Sequence, residues 1–137
     1  MENPAAPAPH PKIAEALAFL QAAEQSAATG DPARVAWTVQ QFDEGLSRLK
    51  PFLAGGGDPL RWYTLALVGK GNVLRTRGEA GLADALRSYD EAIQVLQAAK
   101  GTGPAEELRR DDLGNVWINR GLALLAAFPL AFAIIIP

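Results

Sequence analysis

A phrase of eight residues recurs in this chain with five of its positions kept. GNVLRTRG starts at Gly71 and GNVWINRG starts at Gly114, 43 residues later. A second match runs beside it at an offset of 47. Val35, Val39, Phe42, Leu46 and Leu49 fall on Leu82, Leu86, Tyr89, Ile93 and Leu96, and FDEGL falls on YDEAI. Spacings of three and four place each set of five on one face of a helix. A period of 43 to 48 residues with two helices per period therefore constrains the chain to stacked helical hairpins. A unit this short buries its apolar face only against a neighbour.

The punctuation agrees with that plan. Ile13, Leu17 and Leu20 mark a helix from Ile13 to Thr29, stopped by Gly30. Asp31-Pro32 and Asp58-Pro59 are start signals, because Asp caps free backbone N–H groups and Pro suits the first helical position. The second helix closes at Pro51 and Gly55-Gly56-Gly57, and the third runs from about Leu60 to Arg77 before Gly78. A fourth runs from about Gly81 to Lys100. Pro104 opens a fifth, which carries Leu108, Leu113, Val116 and Trp117 up to Gly121. No segment alternates with period two, so the fold class is all-α. The expected architecture is a right-handed α-solenoid of antiparallel helix pairs, about five helices with an apolar tail. Residues 1–10 form a Pro/Ala-rich arm and 11–125 the repeat domain, with hairpins at about 11–50 and 58–100 and the first helix of a third at 104–121. Residues 122–137 are the tail.

Glycine inside a helix costs about 1 kcal/mol against alanine. Close approach of the second helix of the hairpin offsets that cost at Gly71 and Gly114, and Ala23 stands at the same place in the first hairpin. Gly78 and Gly121 are placed to stop their helices in a left-handed conformation.

Composition narrows the function classes. With 137 residues and 49% hydrophobic content the chain holds one domain with a real core. A net charge of -2 argues against nucleic-acid binding by counterion release. The absence of cysteine removes disulfides, thiolate metal sites and a Cys nucleophile. The start, MENPAAPAPHP, lacks the basic and apolar regions of a signal peptide, which with the missing cysteines suggests a cytoplasmic protein. Arg in excess of Lys and abundant Ala suggest a GC-rich, bacterial coding sequence.

Leu113-Gly114-Asn115, then Gly71-Asn72, Leu74 and Gly78 followed by Ala85, Tyr89 and Ala92, make the chain resemble the tetratricopeptide repeat family over about 11–125. Departures are Lys70 in place of the family's Leu, a longer turn before Leu82, units longer than the family's, and its Trp and Pro missing from their usual places. The resemblance implies a concave groove, lined by the first helix of each unit, that grips a peptide or protein partner. Asn72 and Asn115 are then the leading groove residues. Val68, Arg75 and Thr76 flank the first, and Asp111, Ile118 and Asn119 flank the second. On the first hairpin the equivalents are Leu20, Glu24 and Ala27. The family's Lys and Asn clamp on a terminal carboxylate is not expected, since Leu20 and Glu24 stand in its place.

Other features read more simply. Lys70, Arg75, Arg77, Arg109, Arg110 and Arg120 alternate with Glu106, Glu107, Asp111 and Asp112 and suggest a charge-balanced surface. Trp117, inside the repeat phrase, is expected in the core, and Trp62-Tyr63, near a helix start, at the surface. Lone His10 suggests no metal site. No glycine loop precedes a Lys-Ser/Thr pair, and Asp43-Glu44 recurs as Asp90-Glu91, which argues for a structural role. No enzyme activity, cofactor or metal is expected.

After Arg120 the chain reads GLALLAAFPLAFAIIIP, without a charge, where the plan requires an amphipathic second helix. Three readings stay open. The tail folds back or pairs with another copy in a homo-oligomer. Or it tethers the chain to a membrane through 121–137, against its short length and Pro129. Or it is a non-native ending on a repeat array cut short.

Overall fold

The computed structural model describes residues 10–99 and 104–127, and within them the protein is all-α. The helices are α1 (Pro11–Ala28), α2 (Val35–Leu49), α3 (Gly57–Arg75), α4 (Glu79–Ala98) and α5 (Pro104–Ala127). Short 3-10 turns at Pro32–Arg34 and Lys50–Gly55 join α1 to α2 and α2 to α3. The N-terminal arm through residue 9 and the tail from 128 onward lie outside the described residues.

Local chemistry sets the helix ends. Asp31 Oδ1 accepts from the Ala33 N–H at 3.0 Å, and His10 Nδ1 caps α1 by accepting from the Lys12 N–H at 3.1 Å. Asp58 does not start α3, which begins at Gly57 after a turn through Gly56 at φ 65°.

Each helix packs chiefly on the next in sequence, with α1 also touching α3 and α3 touching α5. The offset of 47 survives in three dimensions. Val35 and Val39 are half-buried, and Phe42, Leu46 and Leu49 are buried; their counterparts on α4 follow the same gradient. Phe42, Leu49 and Tyr89 are among the largest fully buried side chains, each worth about 1.5–3 kcal/mol. On the first helices Ala16, Leu20, Ala23 and Ser26 are buried, as are Thr64, Val68, Gly71 and Leu74.

Gly71 does what its position suggested. A Cβ there would lie 2.5 Å from Cε1 of Tyr89, so only glycine admits this ring. In the first hairpin the roles are exchanged: Gly45 on α2 gives way to Leu20 on α1, whose Cδ2 would lie 2.4 Å from a Cβ.

Gly78 stops α3 at φ 68°, but Gly121 does not stop α5, which continues to Ala127. The reason lies three residues on. Gly81 passes beneath α3 so closely that its Cβ would stand 1.9 Å from the Leu74 carbonyl oxygen. Leu124 occupies the equivalent place, and its side chain forbids the same tight turn.

The aromatic expectations are corrected. Trp117 is 49% exposed, since nothing on α5 plays the part that α4 plays for α3 among the described residues. Tyr63 is buried and Trp62 packs partly against the core, because this end of α3 lies along α4. Tyr63 Oη reaches across to donate to Glu91 Oε1 at 2.6 Å.

The recurring Asp-Glu pair also has a structural meaning. Asp43 receives Lys70 Nζ at 2.6 Å, and Asp90 receives Arg120 Nε at 2.9 Å. In each case the Asp reaches the first helix of the following unit. The Glu turns to its own hairpin: Glu44 pairs with Arg48, which also meets Glu15 on α1, and Glu91 takes the Tyr63 hydroxyl. These pairs are partly exposed and contribute up to about 1 kcal/mol each.

Candidate partner-binding site

The seam between the hairpins opens into a cavity of about 540 Å³. Its walls are the end of α1, the first turns of α2 and the last turns of α3. Ala27, Pro32, Val35, Phe42 and Val73 supply apolar surface. Gly69 lets the floor close, since a Cβ there would lie 2.9 Å from Phe42 Cζ. Glu24, Asp31, Asn72, Thr76 and Arg77 supply the polar groups. Glu24 and Arg77 are exposed and of opposite charge, so the lining has a polarity that can orient a ligand.

Beneath the cavity, Ser26 and Thr38 form a buried hydroxyl pair at 2.7 Å. Thr38 Oγ1 donates to the Arg34 carbonyl at 2.8 Å. A hydroxyl has one proton, so Ser26 is the donor within the pair. Both groups are satisfied, and the α1–α2 wall is pinned across its seam.

Asn72 joins the site to the second hairpin. Tyr89 Oη donates to Asn72 Oδ1 at 2.6 Å, which leaves the amide N–H groups to serve a ligand. Burial pushes the Tyr89 hydroxyl above its ordinary pKa, against a smaller opposing effect of Arg75. Burial, aided by Glu91, raises Tyr63 further still. Both phenols are therefore neutral structural donors at physiological pH.

Of the residues singled out in the sequence, Glu24, Ala27, Asn72 and Thr76 come together at this cavity, whereas Leu20 is buried in the core. Val68 is buried in the core instead, and Arg75 is half-buried at the end of α3. Asp111, Asn115, Ile118 and Asn119 lie on α5 and do not line the cavity. There Asn119 Nδ2 donates to the Asn115 carbonyl at 2.8 Å. The sequence reading missed Phe42, Gly69 and Val73 as lining residues. The glycine inside a helix at 69 was the available signal.

A smaller cavity of about 280 Å³ lies at the opposite end, lined in part by Gly56, Leu60, Leu96 and Leu108. It is bounded by the Arg61–Asp112 ion pair at 3.2 Å, and Arg109 Nη1 donates to the Leu96 carbonyl at 3.0 Å. Among the described residues no helix is long and apolar enough to cross a membrane, and no three His, Asp or Glu side chains group as metal ligands.

Compared with protein-family models, curated proteins and solved structures, the chain matches none.

Proposed function

We propose that this chain is a tetratricopeptide-like α-solenoid module that holds a segment of another protein at the seam between its hairpins. The observation that carries the reading is the convergence of Glu24, Asn72 and Thr76 on an apolar cavity of about 540 Å³. Such a volume lies within the usual range for ligand sites. An apolar side chain of the partner enters over Phe42 and Val73, its backbone meets the Asn72 amide, and Glu24 and Arg77 set its direction. No step of bond making is involved, and no cofactor or metal is called for.

The test is selection of binding peptides from a displayed random library against the full chain. Thr76→Trp, at an exposed position on the lining, should abolish capture of the selected peptides, and Glu24→Lys should change their charge preference. Peptides that bind both variants as they bind the parent would refute the seam as the site.

A second reading is a self-assembling or membrane-tethered protein that uses its apolar C-terminal part. It is favoured by the exposed Trp117, Ile118, Leu122 and Leu125 on α5. Deletion of residues 129–137 that leaves the mass in light scattering and the solubility unchanged would remove it.

A further inference from the structure

The hairpins share one packing plan, and α5 carries half of it. The rows Ala16, Leu20, Ala23, Ser26 on α1 and Thr64, Val68, Gly71, Leu74 on α3 are buried, with α2 and α4 packed on these helices. The same register on α5 is Glu107, Asp111, Gly114, Trp117, and all four are exposed. The row continues through exposed Ile118 and Leu125.

The covered copy shows what the uncovered one is built to receive. Gly71 makes room for the Tyr89 ring, and Asn72 beside it accepts the Tyr89 hydroxyl at 2.6 Å. Gly114-Asn115 repeats that pair. Among the described residues nothing lies within 4 Å of where a Gly114 Cβ would stand, and Asn115 is exposed. Among the described residues no ring fills this seat, and Asn115 Oδ1, which takes a long bond from Asn119 Nδ2 at 3.3 Å, keeps a second lone pair for a tyrosine hydroxyl.

The charge of the rest of the row identifies the occupant. α4 runs antiparallel to α3: Gly81 meets Leu74, Ser88 Oγ donates to the Leu67 carbonyl, and Glu91 meets Tyr63. Residues three and seven beyond Tyr89 are Ala92 and Leu96, both buried, and they run toward the Val68 and Thr64 end of α3. On α5 these two places are Asp111 and Glu107. A helix seated there needs cations where α4 has Ala and Leu.

We propose that this face of α5 docks an amphipathic helix of a partner protein. That helix carries a tyrosine over Gly114 and Lys or Arg three and seven residues beyond it. A second copy of this chain fits poorly. In a twofold pairing of α5 with itself about Gly114, each Asp111 would lie against Trp117 and Ile118, where the nearby cation, Arg120 over the Trp117 ring at 5.8 Å, is already held by Asp90 at 2.9 Å. The proposal rests on the repeat reading but not on the cavity at the seam, so either can fail alone.

The probe is a fluorescein-labelled peptide with the sequence of Glu79–Ala98 carrying Ala92→Lys and Leu96→Lys. The two lysines unfit it for the buried seat on α3. Anisotropy titration against the full chain should saturate, and the unaltered peptide should bind at least roughly fivefold more weakly, since it lacks the paired charges. Tyr89→Phe in the peptide should weaken binding by about 2- to 10-fold, the scale of one hydrogen bond. In the protein, Gly114→Leu should abolish binding, and Asp111→Lys should weaken it and remove its salt dependence. Gly114 is exposed, so circular dichroism of the leucine variant should match the parent. Absence of saturation up to about 1 mM, the scale of a weak complex, or equal binding by Gly114→Leu, overturns the proposal. So does a dimer of the chain alone, seen in sedimentation, that Gly114→Leu dissolves, since a second copy then owns the face.

Discussion

Gly71→Ala and Gly114→Ala make the same change in the same phrase, and the packing assigns them opposite effects. Both glycines lie inside helices, so each substitution gains about 1 kcal/mol of helix propensity. At Gly114 nothing among the described residues opposes that gain, because none of their atoms lies within 4 Å of the new methyl group. At Gly71 the methyl would stand 2.5 Å from Cε1 of Tyr89, 2.8 Å from its Cζ and 2.9 Å from its Cδ1. That ring is fully buried and its hydroxyl is tied to Asn72, so it has no easy retreat. Overpacking of this kind costs about 1–3 kcal/mol. Gly71→Ala should therefore come out neutral to about 2 kcal/mol destabilising, and Gly114→Ala about 1 kcal/mol stabilising. Urea unfolding followed by far-UV circular dichroism reads the difference. With a slope of about 2 kcal/mol per molar, a change of 1 kcal/mol moves the midpoint by about 0.5 M. Amide exchange along α5 checks that the Gly114 gain is felt locally. Equal shifts of the two midpoints in the same direction would refute the argument that Tyr89 explains Gly71.

Gly81→Ala should be the more severe test of close approach, since the obstacle is the Leu74 carbonyl oxygen at 1.9 Å. Backbone cannot step aside as a side chain can, and a loss of at least about 3 kcal/mol, beyond the usual range for overpacking, is expected in the same urea assay. Thr38→Val should cost about 1–3 kcal/mol, because it removes the acceptor of the buried Ser26 hydroxyl; Ser26→Ala with Thr38→Val should recover part of the loss. The contribution of Tyr63 and Tyr89 to stability should be constant below the ordinary phenol value of about pH 10 and fall above it. The sign follows from the raised folded-state pKa of Tyr63 and Tyr89, since the unfolded chain ionises first. Tyr63→Phe should flatten that alkaline slope in a series of melts against pH.

The helices and their apolar faces were legible because spacing is a property of the chain alone. So was the close approach at Gly71, where a costly residue in a helix needs a neighbour to explain it. What stayed hidden depended on partners. Asn72 reads as a polar residue on a face, but its bond to Tyr89 appears only once α3 and α4 are packed. Asp43 and Glu44 look alike in sequence, yet one reaches the next unit and the other its own. Gly121 looks like Gly78 until the residue three further on is weighed, and Leu124 is not Gly81. The cavity at the seam was half visible. Glu24, Asn72 and Thr76 were in view, whereas Phe42 read only as core and Val73 was not singled out.

Because each helix leans chiefly on its sequence neighbours, the protein should respond to pulling as a string of clasps rather than as one knot. Force applied through its ends loads the Asp43–Lys70 and Asp90–Arg120 links in series. Each link can let go before the hairpin behind it uncoils. A hairpin of about 40 residues, once straightened, pays out on the order of 140 Å of chain. An optical-trap trace should therefore lengthen in discrete strides of that size.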